Sequence, residues 1–542
     1  MKTRTLALML CGALAAAAPA RAAPAQAPSN DGDLSPAARQ WWGDISAIAS
    51  DANEGRLTGS PGYDRAADYV ISRFKALGLK PAGVDGYKQP VAFEQQAVDR
   101  AASTAALVDA SGKALPLKPG QDVLISGRGG PAPRTVDAPL VFIGYGLHLP
   151  KQGHDDFAGV NLKGKIAVVI SGGPADIPGP VKASNRSQRS KWLARAGAVG
   201  LVVLTTPKQV EIPWARQKLL APQPAMYLAD PALRDTPDGF FSASVDPAAS
   251  EAVFQGSGHT FAELCALADA SDKVPTFPLT LRLKATVAAA RAPVSSPNLI
   301  AVLPGHDPKL KSQYVAISAH LDHLGVGEPI NGDKIYNGAM DDASGVASVL
   351  DIAQRLSTAQ KPLRRSVLFV VVTAEEKGLL GSYYFASRPT VPASALVADL
   401  NFDMPLPLWP LKTVLAQGDH ESTLGADAQA VAAEHGLSLI ADPLPDRNSF
   451  TRTDQYSFVR KGVPALAFKF GFAKGTPEFQ IEHDWRAARY HAPSDDLDQP
   501  GVLKEEAVKL DAYVAALARR IADEETRPEW LPTSVFAQPE LQ

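Results

Sequence analysis

The sequence predicts an α/β protein with three layers, in which helices cover both faces of a mixed, mainly parallel sheet interrupted by an inserted β-rich unit. Three observations predict it. From Ser295 onward, apolar runs of strand length alternate with an amphipathic helical pattern, the order that a parallel sheet with crossover helices requires. Between about Gly130 and Leu283 the pattern changes to short apolar strands bounded by Gly and Pro. At 542 residues the chain exceeds what one compact core usually holds, so at least two units are expected.

The N-terminus has the layout of a secretory signal peptide. Lys2 and Arg4 precede the apolar run Leu6 to Ala18, and Ala20-Arg21-Ala22 supplies small residues for cleavage after Ala22. About 13 apolar residues are too few for the roughly 20 of a spanning helix, so export to the periplasm or the medium is expected, with no membrane attachment after cleavage. Cleavage removes Cys11 and leaves Cys265 alone, which rules out an internal disulfide. Stability must then come from core burial and any bound metal. A net charge of −3 gives no basic surplus for a nucleic-acid partner.

After an Ala/Pro-rich leader, helical patterning begins at Ser35. GRLTGSPG (Gly55 to Gly62) reads as a loop, and the next segment places Ala67, Val70, Ile71, Phe74 and Leu77 on one helical face with Gly78 as C-cap. In the insertion, APLVFIGYGL and GKIAVVISGG read as strands, and SKWLARAGAVGLVVLTTP as a helix, a Gly turn and a strand. His154-Asp155-Asp156, its one acidic-His cluster, reads as a solvated loop without chemistry. Beyond it, YVAISAH (Tyr314 to His320), SVLFVVVTAEE (Ser366 to Glu376) and LVADLNFD (Leu396 to Asp403) read as strands, and ASGVASVLDIAQRL between the first two as a helix. Leu503, Ala507, Leu510, Val514, Leu517 and Ile521 mark a last helix.

Functional groups in open α/β sheets collect where strands end. Here three strands end in groups able to bind metal: His320, Glu375-Glu376 and Asp403. Asp341 in NGAMDDASG and His491 in RYHAPSDD lie in loops. Singly these are weak signals, since an Asp before a helix is usually an N-cap and adjacent Glu residues usually a surface turn. Two carboxylates ending a buried strand nevertheless need compensation, which a pair of zinc ions supplies. Such a pair needs a bridging carboxylate and terminal ligands, with a spare carboxylate as general base.

The words HLD, NGAMDDASG, TAEEKGLLGS, NFDM and YHAPSDD, in that order, resemble the two-zinc aminopeptidase family. Secreted bacterial leucyl aminopeptidases belong to it, and glutamate carboxypeptidase and the transferrin receptor are relatives. GKIAVV and RAGAVGLVVL resemble the protease-associated domain often inserted there. The resemblance implies a zinc-exopeptidase domain over residues 35–129 and 284–525, a protease-associated insertion over 130–283, a signal peptide over 1–22, a leader over 23–34 and a tail over 526–542. It implies two zinc ions, with Asp341 bridging, His320 and Asp403 completing one site, and Glu376 and His491 the other. Glu375 is the implied general base, acting on a metal-bound water, and Asp322 the implied orienter of the His320 ring. Tyr490 is a weaker candidate for holding substrate. Asp342 stays open as an alternative bridge, and His323 is expected outside the set because it would overfill it. FTRTDQYSF departs from the family pattern, with Thr453 and Gln455 where relatives often have Ser and His. Peptides are the expected substrates and removal of N-terminal residues the expected reaction. A carboxypeptidase or dipeptidase on the same fold, or a receptor-like binding protein, remains as the alternative; the complete ligand series argues against the last, and against a one-zinc glutaminyl cyclase.

Overall fold

The computed structural model describes residues 34–537 apart from 211 and 448. The expected signal peptide, nearly all of the leader and the end of the tail lie outside the described residues.

Seven strands frame the larger sheet: β1 (Lys88–Val98), β2 (Ala289–Leu303), β3 (Tyr314–His320), β4 (Ser366–Val372), β5 (Leu396–Phe402), β6 (Thr413–Gln417) and β7 (Ala465–Phe470). They lie in the order β1-β2-β4-β3-β5-β7-β6, within a ten-stranded sheet completed by Lys80–Pro81, Ala225–Leu228 and Ser438–Leu439. The four central strands β4, β3, β5 and β7 run parallel. β2 and β6 flank them antiparallel, and β1 runs antiparallel to β2. β3, β4 and β5 are buried on both faces, which is why their sequences read as continuous apolar runs and not as alternations.

Five helices matter for the site: α1 (Pro36–Ile48), α2 (Pro61–Ala76), α3 (Ser344–Ser357), α4 (Pro477–Arg489) and α5 (Lys504–Asp523). α2 starts where Ser60 accepts from the Tyr63 N–H with Pro61 at the first turn, and stops before Gly78, whose φ of +71° suits glycine. α1, α2, α3 and α5 cover one face of the sheet, packing Trp41, Phe74, Val349, Leu350, Val514 and Leu517 against Val315, Ile317, Phe369 and Leu400. The opposite residues of the same strands, Ala316, Leu368 and Val370, meet Phe385 and Phe458 from Leu380–Ser387 and Gln455–Val459. The α/β/α layering is therefore as expected.

A second sheet of eight strands has its own core around Phe142, Ile166, Val168, Phe241, Phe254 and Leu264. Its strands begin at Thr104–Val108 and end at Thr276–Thr286, so the insertion starts well before the expected boundary at Gly130. Thr104–Val108, Ala114–Leu117 and Val123–Ile125 are only five, four and three residues long, so they carry no run long enough to announce a strand. The insertion also returns Ala225–Leu228 to the larger sheet, paired with β1. His154-Asp155-Asp156 is not a solvated loop as expected. His154 Nε2 lies 2.9 Å from Asp156 Oδ1, and the buried Asp156 accepts from the Leu147 N–H at 2.9 Å. Residues 526–537 are tied down rather than trailing: Phe536 packs on Phe450, and the buried Arg365 donates to the carbonyls of Ile521, Glu525 and Thr526.

Candidate metal centre

The loops that follow β3, β4 and β5 deliver acidic or His groups to the same point. β3 ends at His320, which is fully buried. β4 ends at Val372; Ala374 then takes a φ of +57° and turns the chain so that Glu375 and Glu376 both enter the cleft region. β5 ends before Asp403, and Met404 follows with a φ of +53°. His491 itself has a φ of +55°. Non-glycine residues in this region cost of order 1–3 kcal/mol each and cluster at functional sites.

Asp341 is the hub. Its Oδ1 lies 3.3 Å from His320 Nε2, and its Oδ2 lies 3.4 Å from His491 Nε2. Metal-binding atoms of His320, Asp341 and Asp403 form one cluster, and those of His323, Asp341 and Glu376 a second. His491 Nε2 is also 3.3 Å from Glu376 Oε2, so this carboxylate is bracketed by two imidazoles, with His323 Nδ1 2.8 Å from Oε1. The structure thus brings His323 into the second cluster, where the expectation from sequence left it out.

These groups fit cations. His320 Nε2 and His323 Nε2 are buried without a hydrogen-bond partner among the described residues. Polar atoms left so are costly unless something else engages them. The His320 Nδ1–H donates to the Asp322 carbonyl oxygen at 3.0 Å, which leaves the Nε2 lone pair facing Asp341. Zinc accepts this mixture of imidazole nitrogen and carboxylate oxygen.

Asp322 thus holds the His320 ring, but by its backbone carbonyl. Its carboxylate, expected to orient the ring, accepts instead from the Glu375 N–H and Thr58 Oγ1, both at 3.0 Å, and fixes the turn that carries the two glutamates. Asp342 is turned away from the centre. It accepts from the N–H groups of Gly345 and Met404, both at 3.0 Å, so it caps α3 and anchors the Asp403 loop. Gly345 is required there, since a Cβ would lie 2.4 Å from the Asp342 carboxylate oxygens.

Glu375 belongs to neither cluster and lines the cleft in front of them. Burial pushes its carboxyl well above the usual range; His320 opposes this, and Glu376 and Asp403 add to it. Burial acts on Asp341 in the same sense, but the neighbouring imidazoles of His320 and His491 hold it well below the usual range.

Two supports, and one buried acid, were not anticipated. Arg56, in GRLTGSPG, is fully buried and donates to the carbonyls of Leu321 at 2.7 Å, Gly338 at 3.0 Å and Asn337, gripping the His320 and Asp341 loops together. Burial lowers its pKa to about 10, against the pull of Asp495 and Asp341. Asp495 accepts from the Met340 and Asp341 N–H groups at 2.9 and 3.0 Å, joining the His491 loop to Asp341. Asp454 is buried with both carboxylate oxygens unpartnered, and burial raises it to about 7.

The cleft encloses about 700 Å³, open to solvent. Tyr490 lies in it, its ring centroid 3.9 Å from that of His491, with the Arg486 guanidinium 4.8 Å from the Tyr490 ring centroid. Thr453 lines it too, while Gln455 is withdrawn, donating to the Phe450 carbonyl and accepting from Thr453 Oγ1, each at 2.6 Å. The cleft is also lined by Arg447, Arg452, Lys469 and Arg486; Lys469 donates to the Asp403 carbonyl, and Arg447 and Arg486 share one oxygen of Glu482 at 2.8 and 2.7 Å.

Residues 298–516 match the model of peptidase family M28. A probable leucine aminopeptidase 2 of Aspergillus oryzae is 28% identical over 234 residues, covering 41% of this chain and 43% of its own. Leupeptin-inactivating enzyme 1 of Streptomyces exfoliatus is 36% identical over 108 residues, covering 20% and 22%. The chain thus spans less than half the length of these curated relatives. An aminopeptidase from Aneurinibacillus sp. strain AM-1 shares the fold over 93% of this chain and 96% of its own, with a TM-score of 0.50 at 19% identity.

Proposed function

Residues 298–516 are a peptidase family M28 domain, and from that premise we propose that the protein is an exported two-zinc aminopeptidase. The observation that carries the two-metal reading is Asp341, whose two oxygens face imidazoles from two different loops at 3.3 and 3.4 Å. On this reading Asp341 would be shared by two zinc ions, His320 and Asp403 would hold one and Glu376 and His491 the other, with His323 flanking Glu376. Bound zinc supplies Lewis-acid polarisation of the scissile carbonyl and makes water a nucleophile at neutral pH.

The chain's own residues do the rest. Glu375 takes the proton from the attacking water and returns it to the leaving amine. Its N–H, tied to Asp322, keeps the carboxylate at the cleft while Glu376 stays on the metal side. Arg56 and Asp495 hold the ligand loops at fixed separation, the preorganisation on which such chemistry depends. Tyr490 and its stacked partners form the floor on which a substrate lies. The insertion, which we read as protease-associated, carries no part of the chemistry.

The relatives' names support removal of N-terminal residues. The test is a panel of aminoacyl-nitroanilides against their N-acetylated forms. Cleavage of the free-amine substrates alone supports the reading, and equal cleavage of both overturns it. A second reading, a dipeptidase, is favoured by Arg447, Arg452, Lys469 and Arg486 in the cleft lining, which suit a substrate carboxylate close to the scissile bond. C-terminal amidation of a dipeptide should then abolish its hydrolysis.

A further inference from the structure

Behind the metal centre, the strand-end turn that carries Glu375 and Glu376 continues into Lys377, whose side chain leaves the cleft. It enters a separate cavity where the insertion meets the catalytic sheet, lined by Arg128, Tyr227 and Arg234 from the insertion and by Lys377, Tyr383 and Arg460 from the catalytic domain. The cavity encloses about 850 Å³, open to solvent.

Its charges do not balance. Asp235 is the one acidic side chain on its walls, and Arg460 takes both its oxygens at 2.9 Å while lying 4.3 Å from the Tyr383 ring centroid. Arg234 is committed to Asp238 at 2.8 Å and to the Leu228 carbonyl at 2.7 Å. Two cations remain. Arg128 gives one N–H to the Glu376 carbonyl at 2.9 Å, and its other N–H groups donate to no described residue. Lys377 is only 5% exposed, yet no hydrogen bond or ion pair engages its ammonium among the described residues. The Lys377 ammonium and the Arg128 guanidinium thus face the cavity with no acidic side chain on its walls left to pair with them, a surplus that a bound counter-charge would balance.

We propose that this cavity is a binding site for a small oxyanion, a carboxylate or a phosphate, held between Lys377 and Arg128. Both groups suit it: the guanidinium offers paired N–H donors and the ammonium a point charge. The cavity is far larger than a halide needs and takes a molecule of amino-acid size. The two sources of this chemistry are a free amino acid, which presents a carboxylate, and inorganic phosphate. Because Arg128 grips the Glu376 carbonyl and Lys377 follows Glu376 in the chain, an occupant ties the insertion to the turn that holds a metal ligand and the base.

The test is thermal unfolding of the zinc-loaded full chain, titrated separately with sodium acetate and inorganic phosphate. Binding to the folded state raises Tm in proportion to RT ln(1 + [L]/Kd). Wild type should be stabilised by at least one of the two, which identifies the source. Lys377→Met and Arg128→Met should each weaken the apparent affinity at least tenfold, whereas Lys377→Arg should retain it, all with unchanged zinc content. No stabilisation by either anion overturns the proposal. So does stabilisation that survives in both Met variants, because the anion is then at the metal centre. If Lys377→Met loses zinc, Arg128→Met, which lies on the insertion, decides the matter alone. The readout is independent of peptide hydrolysis, so its failure leaves the peptidase reading standing.

Discussion

Glu375→Gln separates proton transfer from metal binding at two adjacent residues. The substitution keeps the side chain's volume, and it leaves the Glu375 N–H bonded to the Asp322 carboxylate, so the turn should hold its shape. It also removes a buried carboxyl crowded by Glu376 and Asp403, so folding should not suffer. None of the clustered metal-binding atoms belongs to Glu375, so both zinc ions should remain. What is lost is the base. General acid–base groups contribute roughly 10²–10⁴-fold, about 2.7–5.5 kcal/mol of barrier at about 1.36 kcal/mol per decade. The assay pairs elemental zinc analysis with kcat on an aminoacyl-nitroanilide, run beside Glu376→Gln. Glu376→Gln should lose zinc and activity together, because its carboxylate sits between His323 and His491. If Glu375→Gln loses zinc while Glu376→Gln keeps it, the two roles are exchanged. Near-normal turnover of Glu375→Gln would refute the base altogether.

Purified protein should contain two zinc ions per chain after mild dialysis, and chelation should abolish hydrolysis; full activity at a stoichiometry below one sinks the two-metal scheme. Of the two imidazoles beside Glu376, His491→Ala should cost one zinc, because His491 also faces Asp341, whereas His323→Ala should retain both; the reverse pattern would make His323 the ligand. Arg56→Met leaves three buried carbonyls without their donor, at about 1–3 kcal/mol each before relaxation, so it should lower Tm and weaken zinc retention together; a Tm within a degree of wild type would show that the clamp is dispensable. Asp511 is buried on α5, its carboxyl raised well above 3.8 by burial and then by Asp351 on α3. A raised folded-state pKa gives stability that is complete below 3.8 and lost as pH climbs through the folded value, at about 1.4 kcal/mol for each pH unit between the unfolded and folded values. Asp511→Asn lacks that loss, so its Tm advantage over wild type should grow from pH 5 to pH 9; parallel Tm curves would refute the assignment.

The layers of the larger sheet were legible because burial on both faces writes itself as unbroken apolar runs. β3 matches the run read from the sequence, and β4 and β5 lie within theirs. The insertion's start was not legible. Thr104–Val108 and Ala114–Leu117 are five and four residues long at one side of their sheet, and apolar runs that short do not by themselves mark a strand. Within the centre, the sequence named most of the His and acidic groups that lie together, but not the direction in which each points. Which of Asp341 and Asp342 faces the metals depends on which one caps α3 and holds the Met404 N–H, and two adjacent aspartates look alike in a sequence. The same holds for His323, whose distance from Glu376 is set by the loop after β3 and by no periodicity.

What escaped the sequence entirely are the groups that act through backbone atoms. Arg56 stands 264 residues before His320 in the chain, and it grips carbonyls, which every residue has, so no partner type at any spacing could have marked it. Asp495 likewise receives N–H groups, and Asp322 orients His320 by its carbonyl although its carboxylate was the group that drew attention. The metal-facing layer must present particular elements, so chemistry restricts it to His, Asp and Glu and makes it readable. The supporting layer needs only donors and acceptors in the right places, which many residue types supply. That asymmetry has a consequence for mutagenesis. Conservative changes such as Arg56→Lys, which keep the charge but not the planar fork reaching three carbonyls, should impair the centre nearly as much as losing a ligand, although they touch no metal-binding atom.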